Sequence, residues 1–482
     1  MKKMKPLMWA MVLTGLASQA VAQPLALELK NLVERHPLIL SGQKTVQAAE
    51  KTQDAARAGY LPRVDLSVDG GRENVDSRSY LGTSVNGDSA AGPDVRSNMN
   101  RIRGGLTVTQ NLYSGSRLQN NVAIAQTDTD LRNAELGATV QNTVYDGMVA
   151  YIQIVRLSTL LAVAERNERT TMRQMDLENE RVQRGGGIAV DVLQARTRLQ
   201  IARERKVFIN QSMRDAVANY QQVFGHAPDL DSLEDVAIID SVLPAQIDQA
   251  VELAMNNNPD IQQSRLQSRR ASKQVGVEKS GYLPTVDLVG FYGNDNNVNQ
   301  LNRRREASAL LRLNWNLFSG NETRSRSDAA MRTFESVVDR EVAVERKVHE
   351  NVQTAWNQLQ NGRERQDLLE NAAKIASEVM AFRKRLRDAG KETAINVLDA
   401  EVEYYSVLSN MINAEYDSKI AFYRLMAATG QLTPNRLGIG EGRFAVPTRP
   451  LAQAMSARSI NQDAEAPATA PATTPAAAPA AR

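Results

Sequence analysis

The chain has 482 residues, with 58 Lys and Arg against 55 Asp and Glu, a formal net charge of +3, and no cysteine. Without cysteine there is no disulfide framework, no thiolate metal site and no lipid attached through an N-terminal cysteine. The near balance of charge gives no reason to expect a polyanionic partner such as nucleic acid.

Residues 1–22 read as a secretory signal peptide. Lys2, Lys3 and Lys5 precede an apolar stretch from Leu7 to Leu16, and Ala20-Val21-Ala22 supplies the small-residue cleavage site. That stretch is too short to span a bilayer comfortably, which argues against an anchor helix. Cleavage would remove three lysines and no acid, leaving 55 basic (58 − 3) against 55 acidic residues. An N-terminal helical segment is expected over 23–58.

Beyond this point the chain repeats itself. Gly59-Tyr60-Leu61-Pro62, followed by Val64-Asp65-Leu66, returns as Gly281-Tyr282-Leu283-Pro284 and Val286-Asp287-Leu288, an offset of 222 that Pro37 and Ile39 share with Pro259 and Ile261. Asn111-Leu112-Tyr113-Ser114-Gly115 returns as Asn316-Leu317-Phe318-Ser319-Gly320, an offset of 205. The second offset persists, since Asp191-Val192-Leu193-Gln194-Ala195 faces Asn396-Val397-Leu398-Asp399-Ala400 and Gly225 faces Gly430. Two segments therefore kept equal length while the part before them changed by 17 residues (222 − 205). A span held constant marks an element whose length matters, and such a duplication decides architecture before local propensity does. The expected organisation is repeat 1 over 59–225, a linker over 226–280, repeat 2 over 281–430, a short segment over 431–448, and a disordered Ala/Pro-rich tail over 449–482.

Each repeat opens with strands. Val64, Leu66 and Val68 alternate with Asp65, Ser67 and Asp69, and Leu106, Val108, Gln110 and Leu112 alternate with Thr107, Thr109, Asn111 and Tyr113. In the second copy Val286, Leu288, Gly290 and Tyr292 share a face, while Leu311, Leu313, Trp315 and Leu317 alternate with Arg312, Asn314 and Asn316. Period two with one apolar face, in runs of about ten residues, is the signature of membrane β-barrel strands. The connections over 74–100 and 294–305, rich in Gly, Asn, Ser and Arg, are expected as long exposed loops. Four strands cannot close a barrel around a lumen, and open edges are not tolerated in lipid, so the barrel must be shared between chains. Three copies would supply twelve strands.

Each repeat then becomes helical. No proline occurs between Pro93 and Pro228 or between Pro284 and Pro434, as expected where long helices are protected. Val140, Val144, Met148, Tyr151 and Val155 form one stripe, and Val344, Val348, Val352, Ala355 and Leu359 form its counterpart. Gly185-Gly186-Gly187 breaks the first helical run, and Gly390 breaks the second at the equivalent position. Asp191 and Asn396 are expected as N-caps of the returning helices. The outgoing arms, from Arg117 to Arg184 and from Glu322 to Arg387, would each extend on the order of 100 Å. A rod of that length has something to span.

With these motifs duplicated in the same order, the chain resembles the TolC-like outer membrane efflux proteins over nearly all of the sequence up to Thr448. The resemblance implies an α+β membrane protein that works as a homotrimer: a twelve-stranded barrel in the outer membrane, a helical tunnel through the periplasm, and an equatorial region from residues near Ala227–Asn258 and Gln431–Thr448. Such proteins are exit ducts for inner-membrane pumps, ABC or proton-driven, reached through a periplasmic adaptor. They catalyse no reaction and carry no cofactor. On the same analogy, the missing lipid-anchor cysteine leans toward type I protein secretion or general export.

In that family aspartates on the returning helix of the second hairpin line the periplasmic constriction. Asp399 is retained, whereas Asn396 stands in place of the earlier aspartate, which implies a ring of three charges rather than six. Asp399 could instead pair with a Lys or Arg on an adjacent helix. Similar tips place Tyr three residues before the glycine and Arg two after it; here those positions hold Arg387 and Glu392, so the latch must differ. Gly185, Gly187 and Gly390 are the expected tip turns, with Asp191 beginning the first return.

Other chemistry is thin. His36, His226 and His349 fall in no zinc spacing, and the triple glycine lacks the Gly-Lys-Ser/Thr of a phosphate loop. Arg303-Arg304-Arg305 is expected at an outer loop of the barrel, solvated or touching lipopolysaccharide phosphates. The rival reading is a periplasmic coiled-coil adaptor or scaffold, which would need lipoyl-like β segments around a single hairpin.

Overall fold

The computed structural model describes residues 25–81, 90–186, 188–238, 242–298, 301–437 and 448–457. The expected signal peptide and Gly187 lie outside these residues. Two short helices come first, α1 (Leu25–Arg35) and α2 (Pro37–Arg57), and lead into strands β1 (Arg63–Leu81) and β2 (Ala90–Tyr113). A long hairpin follows, α3 (Arg117–Gln183) and α4 (Ala189–Phe224), then the short strand β3 (Glu234–Val236). The second half runs α5 (Ile247–Asn257), α6 (Pro259–Lys279), β4 (Thr285–Val298), β5 (Leu301–Asn314), α7 (Glu322–Asp388) and α8 (Ala394–Ala428). Strand β6 (Thr448–Pro450) and helix α9 (Leu451–Ala457) end the described chain.

The duplication reaches further than the sequence motifs do. Helices α5 and α6 begin and end 222 residues after α1 and α2, so the second copy starts at Ile247 rather than at Gly281. Residues 259–279, expected within a linker, are thus a structural element of the repeat. Proline explains both starts: Pro37 and Pro259 occupy the first helical turn, behind His36 and Asn258, whose side chains accept the Leu38 and Asp260 amides. The long helices α3 and α7 have 67 residues each, in the positions expected. The 17-residue difference falls in the β hairpins, where β1 and β2 outrun β4 and β5.

The strands form one antiparallel sheet in the order β1-β2-β4-β5. Residues 74–81, 90–100, 294–298 and 301–305, expected as loops, belong to these strands, and only 82–89 and 299–300 between them lie outside the described residues. The apolar alternation stops where both faces become polar, although the ladder continues. At the other end β5 stops at Asn314, short of Trp315 and Leu317, because the Trp315 indole turns back to donate to the Tyr282 carbonyl at 3.1 Å. Leu112 falls in a register shift of β2 against β4.

Ladder partners share a face, so the register separates the sheet into two surfaces. One carries Val64, Leu66 and Val68, Leu106 and Val108, Leu288 and Tyr292, and Leu311 and Leu313. The other carries Asp65, Asp69, Glu73, Arg101, Arg103, Asp295, Arg304 and Glu306. Arg101 joins three strands on the polar face, pairing with Glu73 at 2.7 Å and with Asp295. Gly115 makes the strand-to-helix corner. Its φ is +61°, and a Cβ there would lie 2.8 Å from Leu283 Cβ.

In the helical part, α3 packs against α2, α4, α6 and α8, while α7 is packed by α5, α6 and α8. The predicted stripes are the seams: Val144, Met148, Tyr151, Val155, Val348, Val352, Ala355 and Leu359 are all buried in the main core. An 18-residue window of α3 is apolar enough to cross a membrane, but most of it lies in this packing.

The segment expected to be a disordered tail from residue 449 is ordered at its start. Strand β6 pairs with β3, and Leu451 and Ala454 of α9 are buried. The pairing is secured from below: Asp235 accepts from Lys419 Nζ at 2.6 Å and from the Tyr416 hydroxyl at 3.2 Å, and faces Arg449 at 3.4 Å. Composition concealed this because the anchor lies two hundred residues away. Residues 458–482 lie outside the described chain.

Candidate functional site

The far ends of the two hairpins are built alike. Gly185 and Gly390 follow the helix ends with φ of +77° and +72°. In the first tip the Gly186 amide donates to Arg181 O at 3.0 Å and the Gly185 amide to Val182 O at 3.0 Å. In the second, Lys391 N donates to Leu386 O and Gly390 N to Arg387 O, both at 2.8 Å. These are complete Schellman closures, which need the left-handed residue that glycine supplies.

The return helices start earlier than expected. Ile188 and Thr393, both extended, are the N-cap residues, and neither makes a side-chain cap bond. Asp191 and Asn396 therefore stand at the third helical position. Alanines 189 and 394 are good helix formers and let the turn begin sooner. At its position Asp191 still favours the helix dipole. The Asn396 amide donates instead to Glu392 Oε1, which also accepts from Thr393 N at 3.2 Å. The Asn396 contact first, and the backbone contact second, hold the Glu392 carboxyl below its ordinary range. The local link thus persists at neutral pH and is lost only as pH falls through that lowered value.

Ion pairs tie one hairpin to the other. Arg387, in the last turn of α7, donates to Gln174 Oε1 and Glu178 Oε1 of α3, and Glu178 is 1% exposed. Arg198 of α4 reaches Asp399 of α8 at 2.7 Å, with both side chains partly open to solvent. Within the second hairpin, Arg383 Nη1 donates to Asn396 O at 3.2 Å. Lys384 lies 2.9 Å from the buried Glu401, a charge contact without hydrogen-bond alignment. Further up, Glu168 takes Lys206 at 3.1 Å and Arg203 at 3.3 Å, and its carboxyl is lowered chiefly by the Lys206 bond.

The tip thus gathers Asn396, Asp399, Arg387, Glu392 and Gly390 on one hairpin and Gly185 and Asp191 on the other. Sequence reasoning missed Glu178, Gln174, Arg198 and Lys384. A signal for two of them was present in the duplication: at the 205 offset, Glu178 faces Arg383 and Arg198 faces Glu403, opposite charges at equivalent places. Charges that differ between copies are those free to pair between the copies. Among the described residues no cluster of His, Asp or Glu has the arrangement of a metal site.

Two long hairpins hung from an open, two-faced sheet define a class: the channel subunit of an outer membrane, which conducts and does not catalyse. The chain belongs to the outer membrane efflux protein family, whose model matches residues 29–226 and 250–431. It is similar to the outer membrane efflux protein BepC of Brucella suis biovar 1, at 24% identity over 437 residues and 90% of each chain. The alkaline protease secretion protein AprF of Pseudomonas aeruginosa is 25% identical over 432 residues, 86% of this chain and 87% of AprF. The Neisseria gonorrhoeae MtrE outer membrane channel, solved in an open state, superposes with a TM-score of 0.70 at 15% identity, covering 86% of this chain and 90% of MtrE. The adaptor reading falls with this family match, and the protein resides in the outer membrane.

Proposed function

We propose that three copies of this chain form one duct, a twelve-stranded barrel continued by a helical tunnel, whose tips receive a periplasmic adaptor and an inner-membrane pump of ABC or proton-driven type. Open flanks carry this reading. Strands β1 and β5 are sheet edges, which cannot remain unpaired in lipid. Helix α7 leaves Leu368, Ile375, Val379, Phe382 and Leu386 exposed at steps of 7, 4, 3 and 4, a seam that wants a partner helix. Helix α4, on the opposite flank, exposes Leu193, Ile201 and Phe208. The stripes are level with each other. Ile201 is 12 residues from the start of α4 at the tip and Ile375 is 13 from the end of α7; for Phe208 and Leu368 the distances are 19 and 20. Two complementary flanks on opposite sides make a head-to-tail contact, which closes as a ring when three copies turn by equal steps about one axis.

The cysteine-free chain makes the test clean. Ile201→Cys combined with Ile375→Cys is expected to link into dimers and trimers on oxidation in outer membranes, while either single variant stays monomeric on denaturing gels. A double variant that yields no ladder, or a ladder passing beyond three, would sink the trimer. With a photoreactive side chain at exposed position 188, the tip is expected to capture an adaptor in living cells; capture of no periplasmic protein removes the adaptor from this account. BepC is named for efflux and AprF for protease secretion. Both names describe export, with different cargo, so on this reading the cargo follows from the pump.

Within this duct Asp399 contributes one carboxylate per chain to the constriction, held by Arg198 while the tips are together. Parting the hairpins frees three carboxylates, which favour cations in the bore. Asp399→Asn is accordingly expected to lower cation selectivity, read as a shift of reversal potential toward zero in planar bilayers under a salt gradient. An unchanged reversal potential puts this role aside.

A further inference from the structure

The basic run Arg303-Arg304-Arg305 lies in β5, not in a loop, and the ladder sends its members to opposite faces. Arg304 is on the polar face, 3.4 Å from Glu306. Arg303 pairs in register with Asn296 and Arg305 with Asn294, on the face that carries Leu311 and Leu313. Arg72 of β1 stands on that same face, opposite Asn100. From β4 and β5 this face receives no acidic residue at all: its members are Val286, Leu288, Gly290, Tyr292, Asn294 and Asn296, then Arg303, Arg305, Ala307, Ala309, Leu311 and Leu313.

The arginines of the two faces are treated differently. Arg101 and Arg304 have carboxylate partners on the polar face. Among the described residues, Arg303 donates only to the Asn294 side chain at 3.1 Å and Arg72 only to that of Asn98 at 2.7 Å, and none of Arg72, Arg303 and Arg305 meets a carboxylate. These exposed cations stand above the apolar part of the face among asparagines, and an acidic residue of this face, Asp76 of β1, lies four residues further along the strand from Arg72.

Their height says where one comes from. Arg72 is eight residues beyond Val64 and Arg305 eight beyond Leu313, each counted from the first apolar residue of that face, with Arg303 two further. A strand rising ~3.3 Å per residue and tilted by ~40° lifts these positions by roughly 20–25 Å, the height of the apolar band of a membrane barrel. The helices leave from the opposite end, so the arginines stand at the outer rim of the band. In a closed ring β5 of one copy adjoins β1 of the next, which brings Arg303 and Arg305 to the flank that carries Arg72 of the neighbouring copy.

We propose that Arg303 and Arg305, with Arg72 across the junction between copies, form a binding site for the phosphate groups of outer-leaflet glycolipid. Guanidinium groups suit this ligand because they grip phosphate in bidentate fashion and stay charged at an interface. The site rests on the outward orientation of this face in the shared barrel, and the experiment separates the two ideas.

Full-length protein in detergent is titrated with diphosphoryl lipid A, using native mass spectrometry. Arg303→Gln with Arg305→Gln is expected to weaken binding by roughly thirtyfold, about fivefold per cation near an anionic surface, and Arg72→Gln by less. Wild type is expected to lose its preference when both phosphates are removed from the lipid. Equal affinity of wild type and the double variant, or binding indifferent to phosphate, overturns the site. A fluorophore on Ala309→Cys, quenched by brominated lipid in vesicles, reports orientation independently. Quenching together with unaltered lipid binding rejects the arginine site alone, whereas no quenching rejects the outward face and the site with it.

Discussion

Replacing Arg387 with alanine is expected to part the hairpin tips and raise single-channel conductance in planar bilayers. Arg387 closes off a carboxylate that has nowhere else to turn: Glu178 is almost fully buried and takes its hydrogen bond from the guanidinium. Truncating one member of a buried pair leaves the other charge unhydrated, at a cost of about 3–5 kcal/mol. Separating α7 from α3 lets water reach Glu178 and relieves that cost. Even ~3 kcal/mol shifts an equilibrium more than a hundredfold, enough to bring an arrangement populated at about 1% to roughly half of the molecules. The double variant Arg387→Met with Glu178→Leu is expected to close again, because an apolar pair of similar volume can replace a buried ion pair at little loss. The comparison isolates the coupling from general damage. If Arg387→Ala conducts like wild type while trimers still form, the ion pair does not hold the tip.

The neighbouring Arg198–Asp399 pair is a weaker restraint. Both side chains are partly exposed, and pairs of that kind contribute about 0–1 kcal/mol. On the pore role proposed for Asp399 this pair would neutralise bore charge rather than hold the hairpins together, so variants of Asp399 and Arg387 should separate selectivity from opening.

The hairpins were legible because three independent signals agree there: the stripe at 140–155, the glycine closures at 185 and 390, and the equal spans between repeated motifs. The sheet was legible only while it lies within the apolar band. Beyond Tyr292 and before Ala307, Asn294 and Asn296 face one way while Asp295, Arg304 and Glu306 face the other. With both faces polar, period two disappears from the sequence although hydrogen bonding continues. The tip pairings were hidden for a different reason. Arg387 and Gln174 lie 213 positions apart, and their meeting depends on how two rods sit side by side. Local pattern holds no information on that offset. The misplaced N-caps at Asp191 and Asn396 show the same limit at short range, since alanine before each of them extends the helix past the better capping residue.

Asp235→Ala is expected to free the C-terminal strap, residues 448–457, and to make it the first site of proteolysis in the folded protein. Asp235 is fully buried and gathers Lys419, Tyr416 and Arg449 around one carboxylate. Without it Lys419, itself nearly buried, keeps Glu415 at 3.0 Å and the face of the Tyr416 ring, and Arg449 of β6 loses its anchor. The loss should be about 3 kcal/mol, as for other buried pairs deprived of one member. In a chain of 482 residues that moves a thermal midpoint by only a few degrees, so the local measurement is the sharper one. Lys419→Met should give a similar loss, because Asp235 then loses its buried cation at 2.6 Å, while Arg449 opposite it is half-exposed. Joining Asp235→Leu with Lys419→Met is expected to recover much of the stability but not the full protection of the strap, since β6 would lose its ionic anchor and keep only its three-residue ladder and the packing of α9. A protease pattern identical in all four proteins would mean that the strap is held by α9 packing through Leu451 and Ala454, with the charges contributing nothing.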